Sequence, residues 1–257
     1  MSFDVIIPAR YASTRLPGKP LLDLAGKSLI ERVYLCARQS DADRVIVATD
    51  DERIERAVKE FGGDVCMTAA DHASGTDRLA EVVQQLHIDD DRVVVNLQGD
   101  EPFAPAKLIN TVAASLQRQD SQHQDRQQQE QLVMATACHR LTDIEDINNP
   151  NIVKVVMDNN GHAMYFSRAP IPFPRESSSA RYYQHVGIYA YRSAFIAEYH
   201  ALKPNDLELS ESLEQLRVMA HGYKIAVKTI DYPTGFGIDT PEDLERAHQR
   251  IVNSNEQ

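Results

Sequence analysis

Three cations stand within ten residues near the start of the chain. In "PARYASTRLPGKPL", residues 8–21, Arg10, Arg15 and Lys19 follow the apolar run "VIIP", and Pro17 and Gly18 separate the last two. Guanidinium and ammonium groups beside exposed backbone N–H groups around Ser13–Leu16 suit a phosphate. A solvated basic loop is the plainer alternative. The chain carries 27 Lys and Arg against 38 Asp and Glu, a net charge of −11, so the cluster runs against the global sign. No glycine-rich phosphate loop accounts for it. "GKS" at Gly26–Ser28 has Leu21 where the first glycine is required, and Ser28 reads as the cap of the next helix.

Two acids have the complementary chemistry. In "NLQGDEP", residues 96–102, a strand ends, Gly99 allows a sharp turn, and Asp100 follows beside Glu101. An aspartate there suits Mg²⁺, a hard cation that takes few protein carboxylates and leaves positions for phosphates; it also suits a plain turn. In "GFGIDTPEDL", residues 235–244, Thr240, Pro241, Glu242 and Asp243 make a complete helix start. Asp239 lies outside that start, either as a second metal carboxylate or as a turn residue. "HASGTDRLAEVV", residues 72–83, opens another helix with small residues, whose N–H groups could meet a base, ribose or phosphate or simply be capped.

The elements that must position these residues are legible as alternating patterns. "VIIP" (5–8), "RVIVAT" (44–49), "DVCM" (64–67) and "RVVVNLQ" (92–98) are short β-branched runs, as strands buried on both faces should be. Helical stripes separate them, such as Ile30, Val33, Tyr34 and Ala37, and Leu79, Val82, Val83 and Leu86. This alternation predicts an α/β fold, a mainly parallel sheet covered by helices on both sides, with its ligand site at the carboxyl ends of the strands. The cationic loop leaves strand one at that edge.

After a helix ending near Leu116, residues 117–131 contain no apolar residue and read as a solvated insertion. The second half, 132–257, is richer in strands: 132–141, a hairpin about "NNG" (159–161), 185–192 and 223–230. A helix striped by Leu209, Leu213, Leu216 and Ala220 follows strand 185–192, and a last helix begins at "DTPEDL". No linker divides the chain, so the β-rich part is expected as a smaller lobe of one domain spanning 1–257.

Composition excludes several classes. The acidic balance argues against nucleic acid and anionic membranes as partners. The start, "MSFDVIIPAR", is not a secretory signal and no apolar run would span a bilayer. Cys36, Cys66 and Cys138 are odd in number and set in apolar segments, so they read as reduced thiols. The expected location is the cytoplasm.

In this order, "IIPARYASTRLPGKPL", "VCMTAADHASGTDRLAEVV", "VVNLQGDEP", "NPNIVKVVMD", "YFSRAPIP", "HVGIYAYR", "SLEQLR" and "GIDTPEDLERA" resemble the 3-deoxy-manno-octulosonate cytidylyltransferase family. The resemblance covers nearly the whole chain and fails at 117–131 and partly at 175–181. It implies a Rossmann-like nucleotidyltransferase fold, usually a homodimer, that makes CMP-Kdo and pyrophosphate from CTP and Kdo with Mg²⁺, for lipopolysaccharide synthesis in Gram-negative bacteria. It implies a nucleotide-binding part, 1–116, and a part mainly for sugar binding and dimerisation, 132–257. Carried over by motif, Arg10, Ser13, Arg15 and Lys19 would grip the triphosphate. Asp100 and Asp239 would hold magnesium, and with Lys19 and Arg15 would form the catalytic set. Ser74, Gly75, Arg78 and Gln98 would surround the cytidine. Gln98, Arg168, His185, Tyr189, Glu214 and Gln215 would line the sugar-acid pocket. Activation of another acidic sugar, such as 8-amino-Kdo or a sialic acid, is the neighbouring expectation, and a non-catalytic nucleotide-binding regulator the one from another class.

Overall fold

The computed structural model describes residues 2–12, 16–72, 75–116, 131–175 and 180–255. Its first half builds four strands, β1 (Phe3–Ala9), β2 (Arg44–Thr49), β3 (Asp64–Met67) and β4 (Val93–Asn96). All pair in parallel in the order β3-β2-β1-β4, with Val5 opposite both Val45 and Val95. Their valines and isoleucines, except the half-buried Val65 of edge strand β3, are buried on both faces because helices cover both sides. Helices α1 (Leu29–Arg38), α2 (Glu52–Glu60) and α4 (Ala106–Ala114) pack on one face, through Ile30, Val33, Ile54 and Ile109. Helix α3 (Gly75–Gln85) packs on the other, through Leu79, Val82 and Val83. Ser28 caps α1 as expected, its side chain accepting from Glu31 N.

The second half extends the same sheet. Strands β5 (Leu132–Leu141), β8 (Tyr182–Arg192) and β9 (Lys224–Ile230) continue the order as β4-β8-β5-β9. Here β8 runs antiparallel to both β4 and β5, while β9 is parallel to β5. Strands β6 (Lys154–Met157) and β7 (Ala163–Ser167) form the expected hairpin beside β8. Its turn is held by the Asp158 carboxylate, which accepts from the backbone N–H groups of Asn160 and His162. Short helices α5 (Ile144–Asn148) and α6 (Ser193–Tyr199) flank these strands. The last helix, α9 (Pro241–Asn255), returns to the face of α1 through Ala247 and Ile251.

One expected helix is two. The stripe from Leu209 to Ala220 folds as α7 (Asp206–Glu211) and α8 (Gln215–Ala220), broken at Ser212 in the left-handed region at φ 53°. Leu209 is 67% exposed, whereas Leu213 and Leu216 are buried, so the apolar stripe does not lie on one face. The break leaves Ser212–Glu214 as irregular chain facing the sheet. Leu86 also lies just beyond the end of its predicted helix, and is 37% exposed. The tract 117–130 lies outside the described residues.

Candidate active site

The strand order reverses at β1: β2 and β3 lie to one side of it and β4 to the other. In open α/β sheets the crevice at such a reversal, beyond the carboxyl ends, binds ligands. The loops leaving β1 and β4 carry Lys19 and Asp100. Lys19 begins a short 3-10 turn, Lys19–Leu21, after Gly18 in the left-handed region. Its ammonium donates to Asp100 Oδ2 at 2.7 Å, to Asp239 Oδ1 at 3.0 Å and to Ile238 O at 2.9 Å. Residues some 80 and 220 positions away in sequence thus meet at one nitrogen.

Local backbone makes the meeting possible. A Cβ on Gly99 would stand 2.7 Å from Pro8 O, so only glycine lets the β4 loop close against β1. Gly235, at φ +83°, brings the incoming chain so near Phe103 that a Cβ would lie 2.6 Å from its carbonyl oxygen. Ile238 N donates to Asp100 O at 2.9 Å and ties the two loops together. Thr240 and Asp243 satisfy each other's N–H groups at the start of α9, as the sequence predicts. Asp239 is left to reach Lys19.

Burial acts to lower the Lys19 ammonium, but the charges and hydrogen bonds of Asp100 and Asp239 together outweigh it and hold it above its ordinary value. Glu101 shows that negative charge still exceeds positive here. Burial, then the charges of Asp100 and Asp239, push its carboxyl up to about 7, against the opposing pull of Lys19. Two carboxylates converging from separate loops, in a spot that remains electronegative with an ammonium between them, are an oxygen donor set that fits Mg²⁺. No cluster of three or more acidic, His or Cys ligands occurs among the described residues.

A cavity of about 280 Å³ brings together Gly75, Gln98, Tyr189, Glu214 and Gln215. The break at Ser212 supplies two of these. Gln215 is 4% exposed and its Nε2 has no hydrogen-bond partner among the described residues, a buried donor awaiting an acceptor. Burial raises the Glu214 carboxyl, aided by Asp77 and Glu208 against the opposing pull of Arg217 and Arg10. A second cavity, about 250 Å³, shares Gln98 and adds Glu101, His185 and Gly187. His185 belongs to this second space, although its ring centroid lies only 5.4 Å from that of Tyr189.

Other expected residues are placed differently. Arg10 donates to His72 O at 2.7 Å and so links the β1 loop to the chain before α3. Arg78 is fully buried; it donates to Thr68 Oγ1 and pairs with Asp50 at 3.2 Å, and its Nε and Nη2 have no partner among the described residues. Arg168 lines neither cavity, its guanidinium donating to Glu211 O and Pro150 O. Ser13, Arg15 and Ser74 lie outside the described residues. The sequence reading left Glu101, Asn96 and Thr136 without roles. Asn96 ends the apolar strand β4 and Thr136 interrupts the apolar stretch 132–138 of β5, a signal available in the sequence.

A parallel half-sheet with a cation and two acids at its reversal point is the architecture of a nucleotidyltransferase, and the cytidylyltransferase family model matches residues 5–225. A 3-deoxy-manno-octulosonate cytidylyltransferase of Idiomarina loihiensis is 51% identical over 258 residues, 97% of this chain and 98% of that protein. One from Pseudoalteromonas atlantica is 51% identical, over 96% of each chain. A solved structure of CMP:2-keto-3-deoxy-manno-octonic acid synthetase complexed with CTP superposes with a TM-score of 0.88 at 42% identity, covering 98% of this chain and 99% of that one. A cytidylyltransferase from Leptospira borgpetersenii shares the fold at 16% identity and a TM-score of 0.61. This chain belongs to the 3-deoxy-manno-octulosonate cytidylyltransferase family. No helix among the described residues is long and apolar enough to cross a membrane.

Proposed function

We propose that the chain is the enzyme that joins CTP and Kdo to give CMP-Kdo and pyrophosphate. The 2-hydroxyl oxygen of Kdo bonds to the α-phosphorus, the bond to the β-phosphate oxygen breaks, and the hydroxyl proton is released. The observation that carries this reading is Lys19 held at the reversal of the sheet between Asp239 and Asp100, the latter two residues after Gln98 in a cavity wall.

Both reactants are anionic and repel without counter-charge. Lys19, with Arg10, Ser13 and Arg15 on the same loop, would bind the triphosphate and stabilise the charge that grows on departing pyrophosphate. Mg²⁺ held by Asp100 and Asp239 would draw charge from the α-phosphate and lower the pKa of the attacking hydroxyl. Ser74, Gly75 and Gln98 would border the cytidine, and the Nε–H and Nη2–H of Arg78, without partners among the described residues, would donate to the carbonyl and ring-nitrogen acceptors of cytosine. Tyr189, Glu214 and Gln215 would contact the sugar from the first cavity and His185 from the second. Arg168 would join them by exchanging its two carbonyl acceptors for the sugar carboxylate. No protein nucleophile is needed; positioning and electrostatics carry the rate. CTP as substrate supports the cytoplasm as its location. Met164 and Phe173, 63% and 85% exposed, offer apolar surface in the second half for a homodimer.

Pyrophosphate release tests the reading. It is expected on mixing CTP, Mg²⁺ and Kdo, to stop with EDTA, and to exceed release with 8-amino-Kdo or sialic acid. Binding of CTP without release for any sugar acid would make the chain a regulator instead. Light scattering checks the dimer.

A further inference from the structure

Thr136 sits buried in the middle of β5, and its hydroxyl meets three groups at once. Val186 O lies 3.0 Å from Oγ1, Ile188 O 2.8 Å, and His185 Nε2 3.0 Å. A hydroxyl has one proton to donate and two lone pairs. The two carbonyl oxygens can only accept, so the proton is committed to them. Were it given to the imidazole, both carbonyls would face hydroxyl lone pairs at hydrogen-bond distance. The ring nitrogen therefore comes to Thr136 as an N–H donor.

The pairing of β5 with β8 explains why a hydroxyl is needed there. Thr136 stands opposite Tyr189 and Ala137 opposite Val186, so Gly187 and Ile188 bulge out of the ladder. A threonine side chain on β5 supplies carbonyls of that bulge with a donor. The same bulge orients His185: its ring meets Phe166 edge-on at 5.0 Å and Tyr189 at 5.4 Å. Burial holds the imidazole far below its ordinary value, at about 3, so the ring is neutral. With the proton on Nε2, the lone pair is on Nδ1, which has no hydrogen-bond partner among the described residues.

We infer that Thr136 is a positioning residue that fixes His185 as the Nε2–H tautomer and so presents Nδ1 as a hydrogen-bond acceptor to a hydroxyl of the sugar acid. The ligand half of this rests on the sugar-site reading above; the tautomer half does not. An acceptor at that point favours a ligand carrying a hydroxyl and rejects one that presents a carbonyl or carboxylate oxygen there. Gly187, at which an added Cβ would meet nothing within 4 Å, leaves the adjoining cavity open.

Long-range ¹H–¹⁵N spectra of the full-length protein, labelled at histidine, test it. The His185 signals are assigned by their absence in His185→Gln. Expected are a protonated Nε2 and a bare Nδ1 in the wild type, with the Nδ1 resonance moving toward that of a hydrogen-bonded acceptor on adding Kdo. Thr136→Val should mix the tautomers and raise KM for Kdo about tenfold, the worth of one neutral hydrogen bond, with KM for CTP unchanged within twofold. Thr136→Ser should restore both. A protonated Nδ1 in the wild type, or a Thr136→Val spectrum unchanged at His185, overturns the inference. If the tautomer is as stated but Kdo moves neither Nδ1 nor the Thr136→Val KM, the acceptor role is wrong and His185 leaves the sugar site. Pyrophosphate release by the wild type judges the proposed activity separately. Should Thr136→Val fail to fold, the wild-type spectra with and without Kdo still decide.

Discussion

Asp100 and Asp239 would repel each other if they faced across an empty site, and removing either charge would then stabilise the protein without ligand. Lys19 reverses that expectation, because each carboxylate is one arm of its hydrogen-bonded ion pair. Asp100→Asn and Asp239→Asn should each lower turnover by about 10²-fold or more, comparable to loss of an oxyanion donor. The double variant should lose far less than the product of the two, since the residues act as a unit. Ligand-free melting temperatures should fall slightly or stay level, not rise. Kinetics at saturating Mg²⁺ beside thermal melts check both parts, and normal turnover by Asp239→Asn would reduce Asp239 to a turn residue. His185 sets a pH dependence of opposite origin. Its folded pKa of about 3 is below the ordinary 6.5, so the unfolded chain takes up the proton first. Stability is then fully present above pH 6.5 and falls as the pH drops toward 3, by about 1.4 kcal/mol per pH unit. His185→Gln should flatten that acid slope in denaturant titrations between pH 6.5 and 5. Equal slopes would mean that His185 becomes charged while folded.

At the scale of elements, the site depends on loops whose paths are set by close backbone contacts. Gly235→Ala places a methyl group 2.6 Å from Phe103 O at a φ of +83°, so the chain carrying Asp239 must shift away from Lys19. Turnover should fall at least tenfold while CTP still binds, because a displacement near 1 Å costs on the order of 10²-fold when geometry carries the rate. Unchanged turnover would show that Asp239 need not be held by that turn. What could be read of these elements divides by the range of the forces behind them. β2, β3 and β5 fall on the segments read as strands residue for residue, and the caps at Ser28 and Thr240 follow from local chemistry. The two helices in place of one did not follow, because Leu209 continues the apolar period yet has nothing to pack against. Only the sheet's second half decides that Ser212 must turn the chain inward. Thr136 was missed for a similar reason: its role depends on a bulge in β8, a strand almost fifty residues later.

At the scale of the whole molecule, the cation loop and both aspartates were visible as motifs, but their meeting depends on strand order, which no local pattern encodes. That order also joins the two halves in one sheet. The first half ends on β4, and β4 pairs directly with β8 from the other half, so neither half has a finished edge of its own. Eight of the ten tyrosines lie in the second half, Tyr11 and Tyr34 being the two before it. Near-UV circular dichroism of tyrosine therefore reports mainly the second half, while the triphosphate is expected on the loops of the first. CTP at 100 times its Kd adds about 2.7 kcal/mol to whatever unfolds with its site. If the sheet is one cooperative structure, CTP should raise the tyrosine-reported melting temperature as much as the far-UV one, the two curves coinciding with and without ligand. A far-UV transition that splits, with the tyrosine signal melting at the same temperature whether or not CTP is present, would show that the halves unfold independently and that the β4–β8 ladder does not couple them.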